Sequence, residues 1–262
     1  MFELYHNNMS VCSQRVRIAL DEKGIAASEH HLNLRAGDSQ TPEYLKLNPN
    51  GVVPTLMDNG AAIVESMVIN EYLDDVAPEP PLRPKDPAAR ARMRVWAKIP
   101  DEGLHGACGT ISTAIAFRHQ YLALPKEDLE KNIANTPDPS RRERKRQGIE
   151  YGLEAPFAPP AVIFHDRVLA KMDRQLRDTR WLACAEFSLA DIALMPYIQR
   201  LEHLRQSWMW TEKRAAIARW FHRCRERTGY AGISRYLADE YLSLMTEKGL
   251  EAQPKIRAIL NA

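Results

Sequence analysis

The chain has 262 residues, 45% of them hydrophobic and 27% charged, which is close to the average composition of a globular protein. Its 36 basic and 34 acidic residues give a formal net charge of +2, and this balance favours no nucleic acid or other polyanion as a partner. Because Met1 is not followed by a signal-peptide pattern and no run of about 18 apolar residues occurs, we expect a cytoplasmic protein with no membrane anchor.

Residues 1–80 alternate short strand and helix patterns. Strands are predicted at residues 2–5, 27–32, 52–57 and 61–64, and helices at residues 13–23, 42–47 and 66–76. Between the last two strands, the pair Asn59-Gly60 predicts a tight hairpin turn. This order of elements is that of a thioredoxin-like domain, so the expected fold class is α+β.

A proline-rich stretch, residues 77–87, interrupts regular structure and is expected to act as a semi-rigid spacer. We therefore predict a thioredoxin-like domain over residues 1–80 and an all-helical domain over residues 88–262. Helices of the second domain are predicted at residues 88–99, 101–120, 160–176, 189–204, 213–228 and 234–246. The basic stretch 141–146 favours a solvated charged face over a binding site.

The four cysteines have no paired spacing, which argues against a disulfide framework or a zinc site, and no metal is expected. Cys108, Cys184 and Cys224 are interpreted as small buried apolar residues. Cys12 stands where the first strand is predicted to turn into the first helix. It has no second cysteine three residues away, which argues against dithiol redox chemistry.

Pro54 follows Val53 where a strand is predicted to begin, and a trans proline there would remove a hydrogen-bond donor from the sheet. A cis peptide bond would instead leave the backbone N–H and C=O of Val53 pointing outward. Such a pair of groups can bind an extended peptide as one more strand.

Glu65-Ser66 opens the third predicted helix, and a helix start can bind a carboxylate through its free N–H groups and its positive dipole end. Gln40 could present its amide to a second carboxylate. The alternatives are that Ser66 is only a helix cap, that Glu65 is solvated and that Gln40 is an ordinary surface residue. Together with Val53, these positions describe an extended peptide with a carboxylate at each end, and glutathione fits that description.

The thiol of such a ligand would lie at the start of the first helix, beside Ser10, Cys12 and Ser13. A free thiol has a pKa of about 8.5, and helix N-termini can lower such values to about 3.5 to 7.5. Ser10 could donate a hydrogen bond to the thiolate, and Cys12 or Ser13 could do so from the next positions. The residues alone do not choose among the three.

Four motifs in chain order resemble those of the cytosolic glutathione transferases. They are S-V-C-S-Q-R-V-R-I-A-L, which is similar to the zeta-class signature, L-N-P-N-G-V-V-P-T-L, V-E-S-M-V-I-N-E-Y-L and, in the second domain, F-S-L-A-D-I-A-L. In the last motif, Ser188 and Asp191 are expected to cap a helix reciprocally.

This resemblance covers most of the chain and implies roles for individual residues. It implies that Ser10 occupies the catalytic position of serine-type members and that Pro54 is the family's cis-proline. The residues that it implies for glutathione binding are Gln40, Val53, Pro54, Glu65 and Ser66. It also implies a dimer, in which Asp101 would reach the amine of the partner's glutathione.

A closer resemblance is carried by residues 71–98 and by the segment D-E-G-L-H-G-A-C-G-T-I-S-T-A-I-A-F that begins at Asp101. These stretches are similar to bacterial glutathione-dependent β-aryl-etherases. The resemblance implies attack of glutathione thiolate on the carbon β to an aryl ketone of a hydrophobic aromatic electrophile, with release of a phenol. The etherases differ from this chain at the positions of Ser10, Cys12 and Ser13, so all three stay candidates for stabilising the thiolate.

Gly103, Gly106 and Gly109 recur every third residue in the predicted helix 101–120, at a cost of about 1 kcal/mol each relative to alanine. Their spacing has two interpretations. A helix face without side chains could admit a bulky aromatic substrate, or it could allow close packing of helices across a dimer.

Other functions stay open. A zeta-like isomerase or reductive dehalogenase would act on small dianionic substrates, for which Arg15 could supply a positive charge, and a general detoxifying transferase needs neither specialisation. A third alternative is a non-catalytic subunit of a heterodimer whose related partner chain performs the chemistry. The dimer is therefore expected to be a homodimer or a heterodimer.

Overall fold

The computed structural model describes residues 1–136 and 138–262, which pack as two compact units. Unit 1 contains residues 1–98, 176–196 and 219–237. Unit 2 contains residues 99–175, 197–218 and 238–262. The division of the sequence into domains at 1–80 and 88–262 stays a prediction.

The sheet of unit 1 has four strands, in the spatial order β2-β1-β3-β4. Its strands are β1 (Phe2–His6), β2 (Ala27–His31), β3 (Thr55–Asp58) and β4 (Ala61–Val64). Strand β1 is parallel to β2 and antiparallel to β3, which is antiparallel to β4. Asn59 and Gly60 have φ angles of 48° and 86°, as a two-residue hairpin with the native strand twist requires, which confirms the predicted turn.

The first 98 residues of unit 1 also form helices, one of which packs on the sheet over an apolar core. They include α1 (Val11–Lys23), α2 (Pro42–Leu47), α3 (Ser66–Val76) and α4 (Pro87–Lys98). Leu4 and Leu56 of the sheet and Ile69 of α3 are fully buried in this core. Helix α1 ends where Gly24 adopts the left-handed conformation, at a φ of 63°, and donates to the last carbonyls of the helix. The predicted α+β class and thioredoxin-like unit are confirmed.

The chain after residue 98 is mostly helical, as predicted. Its helices are α5 (His105–Ser112), α6 (Arg118–Leu122), α7 (Lys126–Ala134), α8 (Pro139–Tyr151), α9 (Ala158–Asp178), α10 (Leu189–His203), α11 (Trp208–Thr211), α12 (Ala215–Arg225), α13 (Ala231–Ser234) and α14 (Asp239–Asn261). None of the helices in the described part of the chain is both long and apolar enough to cross a bilayer.

The predicted helix over residues 101–120 is confirmed from His105 onward, but it is not a uniform α-helix and it is interrupted at Gly103. Two π-helical segments, Pro100–Leu104 and Thr113–Phe117, lie on either side of α5. Gly103 breaks the first segment because its φ of 141° is not helical. Gly106 and Gly109 are exposed, and a Cβ atom added to either would meet no atom within 4 Å, so in unit 2 this face carries no packing contact at these positions.

Helix α10 begins with the reciprocal cap that the sequence predicted. Ser188 precedes the helix, and its Oγ accepts a hydrogen bond from the N–H of Ala190 at 3.3 Å. In return, Asp191 Oδ2 accepts from the N–H of Ser188 at 3.0 Å.

Helix α14 extends far beyond the predicted stretch 234–246, to Asn261, and is attached to the loop after α10 within unit 2. The side chain of Gln206 is buried and donates to the carbonyl oxygens of Leu204, at 2.6 Å, and Gly249, at 2.8 Å. Gly249 leaves no room for a side chain, because a Cβ atom there would lie 2.1 Å from the oxygen of Leu204. The helix backbone therefore rests directly on the loop.

Replacing Gly249 by alanine is expected to lower the free energy of unfolding by about 1–3 kcal/mol, the range for overpacking a tight contact. Gly106→Ala is the matched control, because its added Cβ meets no atom within 4 Å. Alanine there is expected to stabilise the protein by about 0.5–1 kcal/mol through helix propensity. Urea unfolding followed by circular dichroism measures both changes, and equal effects of the two variants would contradict the contact between helix and loop.

Candidate active site

The register of the sheet brings three separate segments to one edge of unit 1. Tyr5 of β1 pairs with Thr55 of β3, and Thr55 pairs in turn with Val64 of β4. The chain leaves β1 and β4, and enters β3, at this same edge. The segments concerned carry the candidate residues 10–13, 53–54 and 65–66.

Ser10 is the N-cap of α1. It has an extended backbone, with φ −70° and ψ 117°, and its Oγ accepts a hydrogen bond from the N–H of Ser13 at 3.2 Å. A hydroxyl has one hydrogen to donate and two lone pairs. Within the described residues the hydrogen of Ser10 has no acceptor, so it is available to a ligand at the start of the helix.

The two neighbouring candidates differ from Ser10 in exposure. Ser13 is fully buried, and its Oγ accepts from the N–H of Asn7 at 3.3 Å, so its hydroxyl holds the turn that leads into α1. Cys12 is half-buried, and in the described part of the chain none of the cysteines forms a disulfide.

Val53 is the second candidate position. The Val53–Pro54 peptide bond is cis, as the sequence suggested. Val53 is 8% exposed. Its backbone N–H and C=O make no hydrogen bond to any described residue. Because buried backbone groups are nearly always paired in native proteins, these two groups are well suited to bond an extended ligand.

The loop before Val53 is held by two side chains from α2 and its C-terminal end. Tyr44 donates its hydroxyl hydrogen to the carbonyl of Val52 at 2.6 Å, and Asn48 Nδ2 donates to the same oxygen at 2.9 Å. Burial raises the pKa of Tyr44, so its phenol stays protonated and remains a donor. The carbonyl of Val52 thus accepts two hydrogen bonds, whereas the carbonyl of the adjacent Val53 accepts none from the described residues.

Glu65 and Ser66 form the third part of the edge. Glu65 is exposed and has φ 55° and ψ 110°, a conformation that is unusual for a residue other than glycine. Such strain costs about 1–3 kcal/mol and tends to occur at ligand sites. Ser66 is the first residue of α3 rather than its cap, and no side chain in the described residues caps this helix start.

Comparison with known proteins assigns the chain to a family. Models of the N-terminal and C-terminal domains of glutathione S-transferase match residues 9–76 and 166–223. Protein LigF of Sphingobium sp. (strain NBRC 103272 / SYK-6) is 30% identical over 235 residues, which cover 86% of this chain and 90% of LigF. The chain belongs to the glutathione S-transferase family. Members of this family use glutathione as a co-substrate.

Other relatives of this glutathione S-transferase extend the comparison. The crystal structure of β-etherase LigF matches with a TM-score of 0.78 and 27% identity, over 90% of this chain and 98% of that one. Glutathione S-transferase TCHQD of Arabidopsis thaliana is 27% identical over 89% of this chain and 90% of its own length. Maleylacetoacetate isomerase of Mus musculus is 42% identical over only 38% of this chain and 48% of its own length.

Gln40 and Asp101 are the other two residues that the sequence predicts to bind glutathione. Gln40 Nε2 donates to the carbonyl of Gly51 at 2.8 Å and to Ser39 Oγ at 3.3 Å, so both of its amide hydrogens are used. Asp101 is exposed in unit 2. A role of Gln40 or Asp101 in binding glutathione stays a prediction.

Three residues that hold this edge in place were not among the predicted site residues. Tyr44 and Asn48 fix the loop before Val53, and Arg17 on α1 donates to the turn before Ser10. Two of them lie in the quoted motifs: Asn48 in L-N-P-N-G and Arg17 in S-V-C-S-Q-R-V-R-I-A-L. A charged residue such as Arg17 within a helix pattern looks like a surface position.

Proposed function

We propose that this transferase uses glutathione thiolate as a nucleophile to cleave β-aryl ethers of lignin-derived aromatic compounds. The observation that carries this proposal is the similarity to β-etherase LigF over nine-tenths of both chains. The open edge of unit 1 supports it, because the three segments there offer the groups that an extended peptide with a thiol needs.

In the proposed reaction the chain's own residues bind and activate the thiol. The N–H and C=O of Val53 pair with the peptide, and the uncapped start of α3 at Ser66 binds a carboxylate. Ser10 donates its free hydroxyl hydrogen to the sulfur, which favours the thiolate. The thiolate then attacks the carbon β to the ketone, the C–S bond forms, the C–O bond breaks, and phenolate leaves and takes a proton from water.

The distinguishing experiment compares two substrates with the purified protein and glutathione. Release of a fluorescent phenol from a β-aryl ether is expected, whereas loss of maleylacetone absorbance would favour the zeta-like isomerase. The similarity to the mouse isomerase over 103 residues motivates this second candidate. However, Arg15, which a dianionic substrate would need, is only 1% exposed. Retention on immobilised glutathione with neither activity would instead favour a non-catalytic subunit.

Replacing Ser10 by alanine is expected to raise the pKa of the bound thiol by about 1–2 units, because the thiolate loses a donor, and each unit is worth about 1.4 kcal/mol. The rate at pH 7 should therefore fall by up to about 10-fold for a shift of one unit and up to about 100-fold for two, and the pH at which it plateaus should rise. The pH-rate profile of ether cleavage measures this shift.

Two variants serve as controls for Ser10→Ala. Ser10→Thr keeps both the hydroxyl and the helix cap and should retain the wild-type profile. Ser13→Ala removes a buried hydroxyl bonded to Asn7 and should lower the melting temperature more than it moves the profile. A plateau that stays in place in Ser10→Ala would shift the thiolate donor to Cys12.

We also infer a dimer, whether of one chain or of two related chains. Val68 on α3 and Val95 on α4 are 56% and 59% exposed. The same two helices are joined by a bidentate ion pair between Arg94 and Glu71. Exposed apolar side chains are typical of a protein interface.

A further inference from the structure

Arg17 is a buried cation in the helix that begins at the candidate site. Arg17 is 0% exposed, and its guanidinium makes four hydrogen bonds within unit 1. Nε donates to the carbonyl of Gly232 at 2.7 Å. The two terminal nitrogens donate to His6 Nδ1 at 2.8 Å, to Asn7 O at 3.2 Å and to Asn8 O at 3.1 Å.

Burial and neighbouring charges determine the protonation states of Arg17 and His6. Burial lowers the pKa of Arg17 to about 10, so the guanidinium stays charged at neutral pH. Burial and then the Arg17 charge lower the pKa of His6 to about 3, so the imidazole is neutral and its Nδ1 can accept. His6 Nε2 lies 3.3 Å from Glu29 Oε2, which fixes the tautomer that donates there. Asp21 and Arg235 complete the set of nearby charges.

The guanidinium of Arg17 and the backbone N–H of Ser10 share one hydrogen-bond acceptor. The carbonyl of Asn7 that accepts from Arg17 also accepts from the N–H of Ser10, at 3.2 Å. Asn8, whose carbonyl also accepts from Arg17, is the next residue of the same turn. The fork of a guanidinium has fixed geometry, so it sets the orientation of both peptide groups and hence of the cap that follows them.

Gly232, whose carbonyl accepts from Arg17 Nε, is also held rigidly. A Cβ atom on Gly232 would lie 2.6 Å from the nitrogen of Ile18 and 2.7 Å from the carbonyl carbon of Arg17. A Cβ atom on Gly229 would lie 2.8 Å from the oxygen of Ile18. Residues 229–232 therefore lie directly on the backbone of α1, and the Gly232 carbonyl is a firm anchor for Arg17.

From these contacts we infer that Arg17 is a positioning residue for the reaction: anchored on Gly232, it holds the turn at Asn7 and Asn8 so that the Ser10 hydroxyl points at the glutathione sulfur. This inference rests on the proposed use of glutathione thiolate. It gives residues 229–232, far along the chain from Ser10, a part in activating the thiol.

The test uses Arg17→Met and a matched control, Lys23→Met. Lys23 is also a buried cation of α1, and its Nζ donates to the carbonyls of Ala77, at 2.6 Å, and Pro80, at 2.9 Å, but it anchors the opposite end of the helix. The measurement is the ultraviolet absorbance of thiolate in the glutathione complex as a function of pH, together with the melting temperature of each variant.

Arg17→Met is expected to raise the pKa of the bound thiol by about one unit, which is a tenfold fall in the ratio of thiolate to thiol at low pH. Lys23→Met should lower the melting temperature without changing the pKa of the bound thiol. Arg17→Lys, which keeps the charge and can still bind one carbonyl, should give an intermediate shift. Equal thiol pKa values in wild type and Arg17→Met would overturn the inference and leave the proposed function intact. A wild-type protein that forms no thiolate with glutathione would overturn both.

Gly232→Ala decides the question if Arg17→Met does not fold. This variant keeps Arg17 but displaces its anchor, since the added Cβ cannot fit beside Ile18 and Arg17. A raised thiol pKa in Gly232→Ala supports the positioning role, and an unchanged value overturns it.

Discussion

Replacing Asp191 by alanine is expected to lower the free energy of unfolding by about 3–5 kcal/mol, the cost of breaking a buried charged network. Asp191 is fully buried and accepts four hydrogen bonds within unit 1. Three donors come from neighbouring residues: Leu182 N–H at 3.0 Å, Ser188 N–H at 3.0 Å and Ser188 Oγ–H at 3.2 Å. The fourth is Trp220 Nε1–H at 2.8 Å. Alanine would leave these buried donors unpaired, and each unpaired donor costs about 1–3 kcal/mol.

Asp138 provides the matched comparison for Asp191. It also caps a helix, since its Oδ1 accepts from the N–H of Arg141 at 2.7 Å, but it is exposed to solvent. Asp138→Ala is therefore expected to cost only about 1 kcal/mol. Unfolding in urea, followed by circular dichroism, measures both changes. If Asp191→Ala lowers the free energy of unfolding no more than Asp138→Ala does, burial of the hydrogen-bond network does not increase its contribution to stability.

Local signals predicted the parts of the fold that local chemistry determines. The Asn59-Gly60 turn and the Ser188–Asp191 cap formed as expected because each depends on residues only a few positions apart. The start of α3 at Ser66 was also predicted correctly, although the strained backbone of Glu65 before it has no sequence signature.

Contacts between distant residues were not predictable in the same way. The hydrogen bond from Arg17 to Gly232 spans 215 positions, and nothing in the pattern of α1 distinguishes this arginine from a surface one. Helix α14 continues past residue 246, where the predicted stretch ends, although it contains Gly249 and Pro254, which have poor helix propensity. In the structure the glycine is needed for contact with Leu204, and this tertiary contact outweighs its poor propensity.

The same distinction applies to the candidate site. The sequence identified residues that face the edge of the sheet, such as Ser10, Val53 and Ser66, because helix starts and proline positions have local signatures. It did not show that Gln40 donates both amide hydrogens to groups of the protein, Ser39 Oγ and the Gly51 carbonyl. A ligand and the protein compete for the same two amide hydrogens. Which of them accepts these hydrogens can be decided only when the conformation of the loop is known.

Lowering the pH from 7 to 5 is expected to destabilise the protein by several kcal/mol through its buried histidines, among them His6 and His165. Burial, and then the charge of Arg17, lowers the pKa of His6 to about 3, and burial lowers the pKa of His165 to about 4. An unfolded histidine has a pKa of about 6.5. The folded state therefore binds fewer protons than the unfolded state below pH 6.5, and stability is lost as the pH falls from there towards 4. At pH 5 the loss is about 2 kcal/mol for each histidine.

Asp191 opposes this trend without cancelling it. Burial raises the pKa of its carboxyl group to about 6, so the folded protein takes up a proton at a pH where the unfolded chain does not. Its contribution to stability therefore grows as the pH falls from 7 towards 4 and is lost as the pH rises through 6. Between pH 7 and pH 5 this gain is about 1.4 kcal/mol, which is less than the combined loss from the two histidines.

Variants of two histidines separate this mechanism from general acid sensitivity. His165 donates from Nδ1 to the carbonyl of Ala161 at 3.0 Å, while its buried Nε2 has no hydrogen-bond partner among the described residues. His165→Leu should therefore reduce the fall in melting temperature between pH 7 and pH 5. The exposed His222, replaced by glutamine, should leave that fall unchanged, because its imidazole remains hydrated in the folded state. A melting temperature that is constant from pH 7 to pH 5 in the wild type, measured by calorimetry, would mean that the folded protein protonates these buried rings as readily as the unfolded chain does.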